Sequence, residues 1–151
     1  MSILLSALLS ADLPTDRIVV NKSKRELLLL RGGKVIRRYA VGLGQSPMGP
    51  KEQEGDSKTP EGSYTISGRN PASAYHLSLR ISYPNAADTE RARAAGVDPG
   101  GDIMIHGLPN GEGKTHGRMT DWTLGCIAVT NEEIEEIWRL VPDGTPIQIN
   151  R

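Results

Sequence analysis

The sequence predicts a mostly β domain with two short helices, and three observations lead there. Its 151 residues include 17 glycines and 10 prolines but only two Trp, four Tyr and no Phe, a balance that suits short strands and frequent turns better than a helix bundle. Apolar residues alternate in several short stretches bounded by Gly, Asn or Pro. Only two stretches carry helix signals instead.

Taken in order, "MSILLSALLSADLP" holds a short apolar run, far below the roughly 20 residues that span a bilayer, so no membrane span is expected. Residues 1–13 read either as the remnant of an export signal or as an N-terminal extension, and residues 14–151 as the folded domain. In "RIVVNKSKRELLLLRGGKVIRRYAVGLG" the pair Gly32-Gly33 can supply the positive φ angles of a tight hairpin, which would pair Glu26 to Arg31 with Lys34 to Val41. From Gly44 to Pro60 the chain is rich in Gly, Pro and charge without apolar period, and it reads as a surface loop. "GSYTISGR" and "YHLSLRIS" are strands by the same rules, as is "GGDIMIH" behind the turn Asp98-Pro99-Gly100.

The first helix is expected in "NAADTERARAAG", with Asp88 as N-cap and Gly96 as the stop. The second is better marked. Thr130 and Glu133 form a capping box, Glu132 and Glu133 sit in the positive first turn, and Ile134, Ile137, Trp138 and Val141 recur at core spacing before Pro142 ends it. "TPIQIN" closes the domain as a strand.

A formal net charge of zero, with scattered Lys and Arg, lacks the footprint of a nucleic-acid binder. A single cysteine excludes an internal disulfide framework and every multi-cysteine zinc pattern. "GLPNGEGKT" imitates a phosphate loop, but Leu108 stands where the first glycine belongs and no helix signal follows.

The chemistry centres on Cys126 and His106. His106 ends "DIMIH" and Cys126 begins "CIAV", so an antiparallel pairing of the two strands would bring both to one rim of the sheet. A free thiol, with a pKa of about 8.5, is mostly protonated at neutral pH, and a neighbouring imidazolium can lower that value by several units. Gly125 permits a sharp turn that aims its own amide and that of Cys126 at a developing oxyanion, each donor being worth about 3 kcal/mol of barrier. The glycine-rich connection from Gly107 to Trp122 has the length of a lid. On composition alone, however, Cys126 reads as a small hydrophobe filling a strand.

Taken together, the hairpin "RELLLLRGGKVIRRYAVGLG", the loop "KTPEGSYTI", and "IHG" followed by "TLGCIAVTNEEIEEIW" resemble, in order, the YkuD-type L,D-transpeptidase catalytic domain over most of residues 17 to 150. "SLRISYPNAAD" and "DPGGDIMIHGLPNG" are similar to its YafK-like branch. The resemblance implies a β-sandwich of mixed sheets with two short helices and an active-site lid loop. It implies a monomeric enzyme of the periplasm or cell envelope that acts on peptidoglycan stem peptides, or on an envelope lipoprotein linkage, without metal or organic cofactor.

Carried over by position, Cys126 is the nucleophile, His106 the proton donor and acceptor, and Gly107 the carbonyl that orients His106, with Gly125 supplying an oxyanion amide. Substrate-binding candidates are Tyr83, His116, Arg118, Trp122 and Thr123. Two positions depart from the family motif: Leu124 replaces a histidine and Ala128 a polar residue. The departures leave open whether the acyl group passes to an amine or to water, or whether the domain only binds cell wall.

Overall fold

The computed structural model describes residues 14–111 and 120–151. Eight strands form one mixed sheet: β1 (Arg17–Asn21), β2 (Glu26–Arg31), β3 (Lys34–Ala40), β4 (Gly62–Ser73), β5 (His76–Ile81), β6 (Met104–His106), β7 (Ile127–Ala128) and β8 (Pro146–Asn150). Their spatial order is β3-β2-β1-β8-β4-β5-β6-β7. Helices α1 (Ala86–Ala95) and α2 (Asn131–Leu140) interrupt the strand sequence.

The β2–β3 hairpin forms where the sequence placed it, with Gly32 and Gly33 at φ 58° and 78°, the positive pair that a two-residue turn needs. Alternation decides which side chains enter the core. Leu27 and Leu29 of β2 and Ile18 and Val20 of β1 are fully buried, and Ile147 and Ile149 of β8 join them. β1 and β8 run parallel, β4 and β8 antiparallel. The sheets of the expected sandwich are joined through β4, which pairs with β8 through Gly62–Thr65 and with β5 from Ile66 onward. Register shifts at Ile66/Gly68 and Asn70/Ser73 bend it between these duties, and Pro71, which cannot donate to a ladder, sits inside the second.

Helix α2 buries Ile134, Ile137 and Leu140 against β5 and β6, and its capping box is complete: the Thr130 hydroxyl accepts from the Glu133 amide while the Glu133 carboxylate accepts from the Thr130 amide. Helix α1 corrects the expected cap. Asn85 is its N-cap and Asp88 lies at the third helical position, completing a reciprocal box; both residue types serve as caps, so composition alone did not choose between them. Asp88 also accepts the Tyr64 hydroxyl at 2.7 Å inside the protein.

The segment from Gly44 to Pro60 is not simply a surface loop. Thr59 is fully buried, and two buried lysines bind the loop to the fold. Lys22 donates to the carbonyls of Gly49 and Thr59 and to Glu61. Lys51 donates to the carbonyl of Gln53 and to Asp56 at 2.9 Å. Among the described residues, no helix is long and apolar enough to cross a membrane.

Candidate active site

Strands β6 and β7 are parallel, which corrects the antiparallel pairing expected from sequence. Ile105 stands opposite Ile127 and His106 opposite Ala128; one step back, Cys126 lies beside Met104. Since side chains at alternate positions share a face, this register puts the thiol and the imidazole on the same side of the sheet, one turn of the pleat apart. Both line a cleft of about 680 Å³, whose other lining residues include Lys51, Tyr75, Asp102, Trp122, Thr123 and Leu124. A smaller cleft of about 250 Å³, between the loop and α1, has charged walls and no nucleophile.

The sulfur is held by backbone. The Met104 amide donates to Sγ at 3.3 Å, and the thiol donates to the carbonyl of Asp102 at 3.2 Å. Asp102 has φ 54°, a left-handed conformation unusual for a residue with a Cβ, and its carboxylate is paired with Arg80 at 2.9 Å. Burial pushes the thiol up to about 11; Asp102 adds to the rise, while the Met104 amide, Lys51 and Arg80 oppose it.

His106 is only 2 % exposed. Its Nδ1 lies 2.7 Å from the carbonyl of Gly107, and because a carbonyl can only accept, that nitrogen carries the proton and Nε2 is left with its lone pair. Burial lowers the imidazole pKa, against the opposing pull of the Gly107 carbonyl. A raised thiol and a lowered imidazole make a neutral pair at pH 7, in place of the imidazolium and thiolate that the sequence suggested.

Glycine is required at 107, since a Cβ there would lie 2.6 Å from Asn131 Oδ1 and 3.0 Å from the Tyr75 carbonyl. That contact marks two residues which sequence reasoning missed. Asn131, the first residue of α2, accepts from the Leu108 amide at 2.9 Å, and the Tyr75 carbonyl accepts from the Gly107 amide at the same distance. The Tyr75 ring also stacks on His106, with centroids 4.3 Å apart and planes 21° apart, and Trp122 packs against both. Neither residue had a sequence signal beyond its type: Tyr75 lies in the β4–β5 turn, and Asn131 looked like an ordinary residue of a helical first turn.

Gly125 has φ 138°, and a Cβ there would meet the Lys58 carbonyl at 2.7 Å. Its amide donates to Thr123 Oγ1 at 3.1 Å, so the oxyanion donor expected there is already engaged; the Thr123 hydroxyl in turn donates to the Cys126 carbonyl at 2.7 Å. The Cys126 amide lies outside the β6–β7 ladder. Asp121 secures the start of this segment by accepting from Arg25 and from the Leu43 amide.

Trp122 and Thr123, both expected to touch substrate, lie in the cleft wall. Tyr83 does not: it is 5 % exposed, packs edge-on against Tyr64 and donates to the Pro99 carbonyl, because the turn into α1 folds it inward. His116, Arg118 and the middle of the expected lid lie outside the described residues. Leu124 is 75 % exposed at the cleft mouth, whereas Ala128 is fully buried between His106 and Gly42.

Comparison with known proteins agrees with this architecture. The chain is 36% identical over 108 residues to YafK of Escherichia coli K12, covering 70% of this chain and 35% of that protein. It is 29% identical over 141 residues to YqjB of Bacillus subtilis, covering 91% and 73%. The crystal structure of the helical cell shape determining protein Pgp2 from Campylobacter jejuni superposes with a TM-score of 0.68 at 28% identity, over 91% of this chain and 48% of that one. The chain thus spans about a third of YafK and half of Pgp2. The family model of the L,D-transpeptidase catalytic domain, YkuD, matches residues 15–149, and the chain belongs to that family.

Proposed function

We propose that the chain is a cell-envelope cysteine acyltransferase acting on peptidoglycan stem peptides. The observation that carries this reading is that Cys126 and His106 lie on one face of a two-strand parallel ladder and open into one cleft. In the resting protein the thiol keeps its proton and donates it in a hydrogen bond to the Asp102 carbonyl. Substrate binding turns Sγ away from that acceptor toward Nε2 of His106, which takes the proton as sulfur attacks the carbonyl of the L-centre of diaminopimelate. The Cys126 amide donates to the oxyanion. His106 then passes its proton to the departing amine of D-alanine, the C–N bond breaks, and a thioester remains. An acceptor amine, deprotonated by His106, attacks the thioester and restores the thiol.

The Gly107 carbonyl keeps Nδ1 protonated throughout and so fixes Nε2 as the working nitrogen. Cys126→Ala should abolish D-alanine release from muropeptide tetrapeptides, and unchanged release by that variant sinks the proposal.

A hydrolytic variant is favoured by the exposed Leu124 and buried Ala128, which bring no polar group to an acceptor amine. Hydrolysis of a stem peptide, or of a lipoprotein linkage, would use the same nucleophile with water as acceptor. Supplying an amine and searching for a cross-linked dimer separates the two. A domain that merely binds cell wall would form no covalent adduct with a carbapenem, which intact mass measures.

A further inference from the structure

We propose that Lys51 is a substrate-binding residue whose ammonium receives the α-carboxylate of the terminal D-amino acid of the stem peptide. The inference rests on the acyl-transfer reading of the cleft and adds the subsite for the leaving group. Lys51 is 4 % exposed, and among the described residues it is the only Lys or Arg that lines the cleft with Cys126. Lysine is rarely buried to this degree without a partner, and Asp56 supplies one at 2.9 Å. That partner does not use up the charge. The Asp56 carboxylate also accepts from the amides of Glu52, Gln53 and Lys58, so its negative charge is divided among four donors.

The ammonium has three protons, and two have acceptors, Asp56 and the Gln53 carbonyl; no third acceptor lies among the described residues. Its stem is packed against Gly100, where an added Cβ would stand 3.2 Å from Cε. Two hydrogen bonds and this packing hold the cation in place, which lowers the ordering cost when an anion arrives. Two anionic residues also line the cleft, but Asp102 is paired with Arg80 and Glu54 is solvent-exposed. Ala128 is buried and brings no competing cation.

The test measures binding by calorimetry on the full chain with Cys126→Ala, which prevents turnover. Its probes are a tetrapeptide stem ending in D-alanine and the same peptide with its terminal carboxylate converted to an amide. With Lys51 present, the acid should bind about tenfold or more tightly than the amide, the strength of a hydrogen bond to a charged group. Lys51→Gln alone would leave Asp56 buried and unpaired, so it is combined with Asp56→Asn; this double variant should bind both peptides equally. Asp56→Asn alone should keep the preference, and Lys51→Arg should keep part of it. A preference that survives in the double variant, no preference with Lys51 present, or no binding of either peptide overturns the inference. Assaying D-alanine release with Cys126 intact separates the two ideas: release without Lys51-dependent preference removes only this subsite, while preference without release removes only the acyl-transfer reading.

Discussion

The two edges of the sheet are built on opposite plans. At one, β2 and β3 pair over six registered positions and their turn is set by two glycines with open space around them. At the other, β6 and β7 pair over only two, and the surrounding glycines are packed against backbone. A long ladder consumes its own amides and carbonyls. A short one leaves them for other work, and at the second edge the Met104 amide and the Asp102 and Gly107 carbonyls hold the sulfur and the imidazole. The site is thus made largely of backbone groups that regular structure would have occupied.

Gly107→Ala attacks this difference most directly. The added methyl must displace Asn131 or the Tyr75 carbonyl, and either shift moves the acceptor that orients His106. Turnover of a muropeptide tetrapeptide should fall by about 100-fold, the usual cost of a misplaced catalytic group, while thermal unfolding stays cooperative. Activity close to that of the parent chain would show that the Gly107 carbonyl is dispensable.

A smaller effect is expected from Tyr75→Leu, which removes the ring stacked on His106. Burial holds the imidazole pKa below its ordinary value near 6.5, so the acid limb of kcat/KM should have its midpoint below that value. Hydrating the ring favours the protonated form, raises this pKa and moves the acid limb upward. kcat/KM at pH 6 should drop by roughly two- to fourfold, with recovery at higher pH. A uniform loss at every pH would mean that Tyr75 only supports the fold.

The smallest effect belongs to the opposite edge. Gly33→Ala meets no atom within 4 Å but must hold φ 78°, a strain of about 1 kcal/mol. The melting temperature should fall by a few degrees with turnover unchanged. A turnover defect there would show that the two edges are coupled.

How much of this was legible in the sequence follows the same division. The hairpin and α2 were readable because each carries a local signal: a Gly pair between alternating strands, and a capping box ahead of a periodic apolar face. Cys126 and His106 were readable as residue types in an ordered motif. Their strands' direction was not, since segments of two and three residues have too few positions to show a period. Tyr75 and Asn131 come from separate elements and meet at Gly107 only in the folded chain. Lys51 was hidden by a sound rule, that a charged, glycine-rich segment is a surface loop, which fails where buried partners satisfy the charge. Tyr83 was misplaced for the opposite reason, its ring being drawn into the core beside Tyr64.

The hydrogen bond from the thiol to the Asp102 carbonyl bears on the chemical lifetime of the protein. Peroxides oxidise thiolates far faster than thiols, and a thiol whose proton is held in a hydrogen bond and whose pKa is raised by burial offers them little. A single cysteine has no neighbouring thiol with which to form a reversible disulfide, so damage at that atom has no internal repair. The left-handed turn at Asp102 thus presents its carbonyl to the one thiol of the chain, and the same contact that holds the sulfur also keeps it in its less oxidisable form.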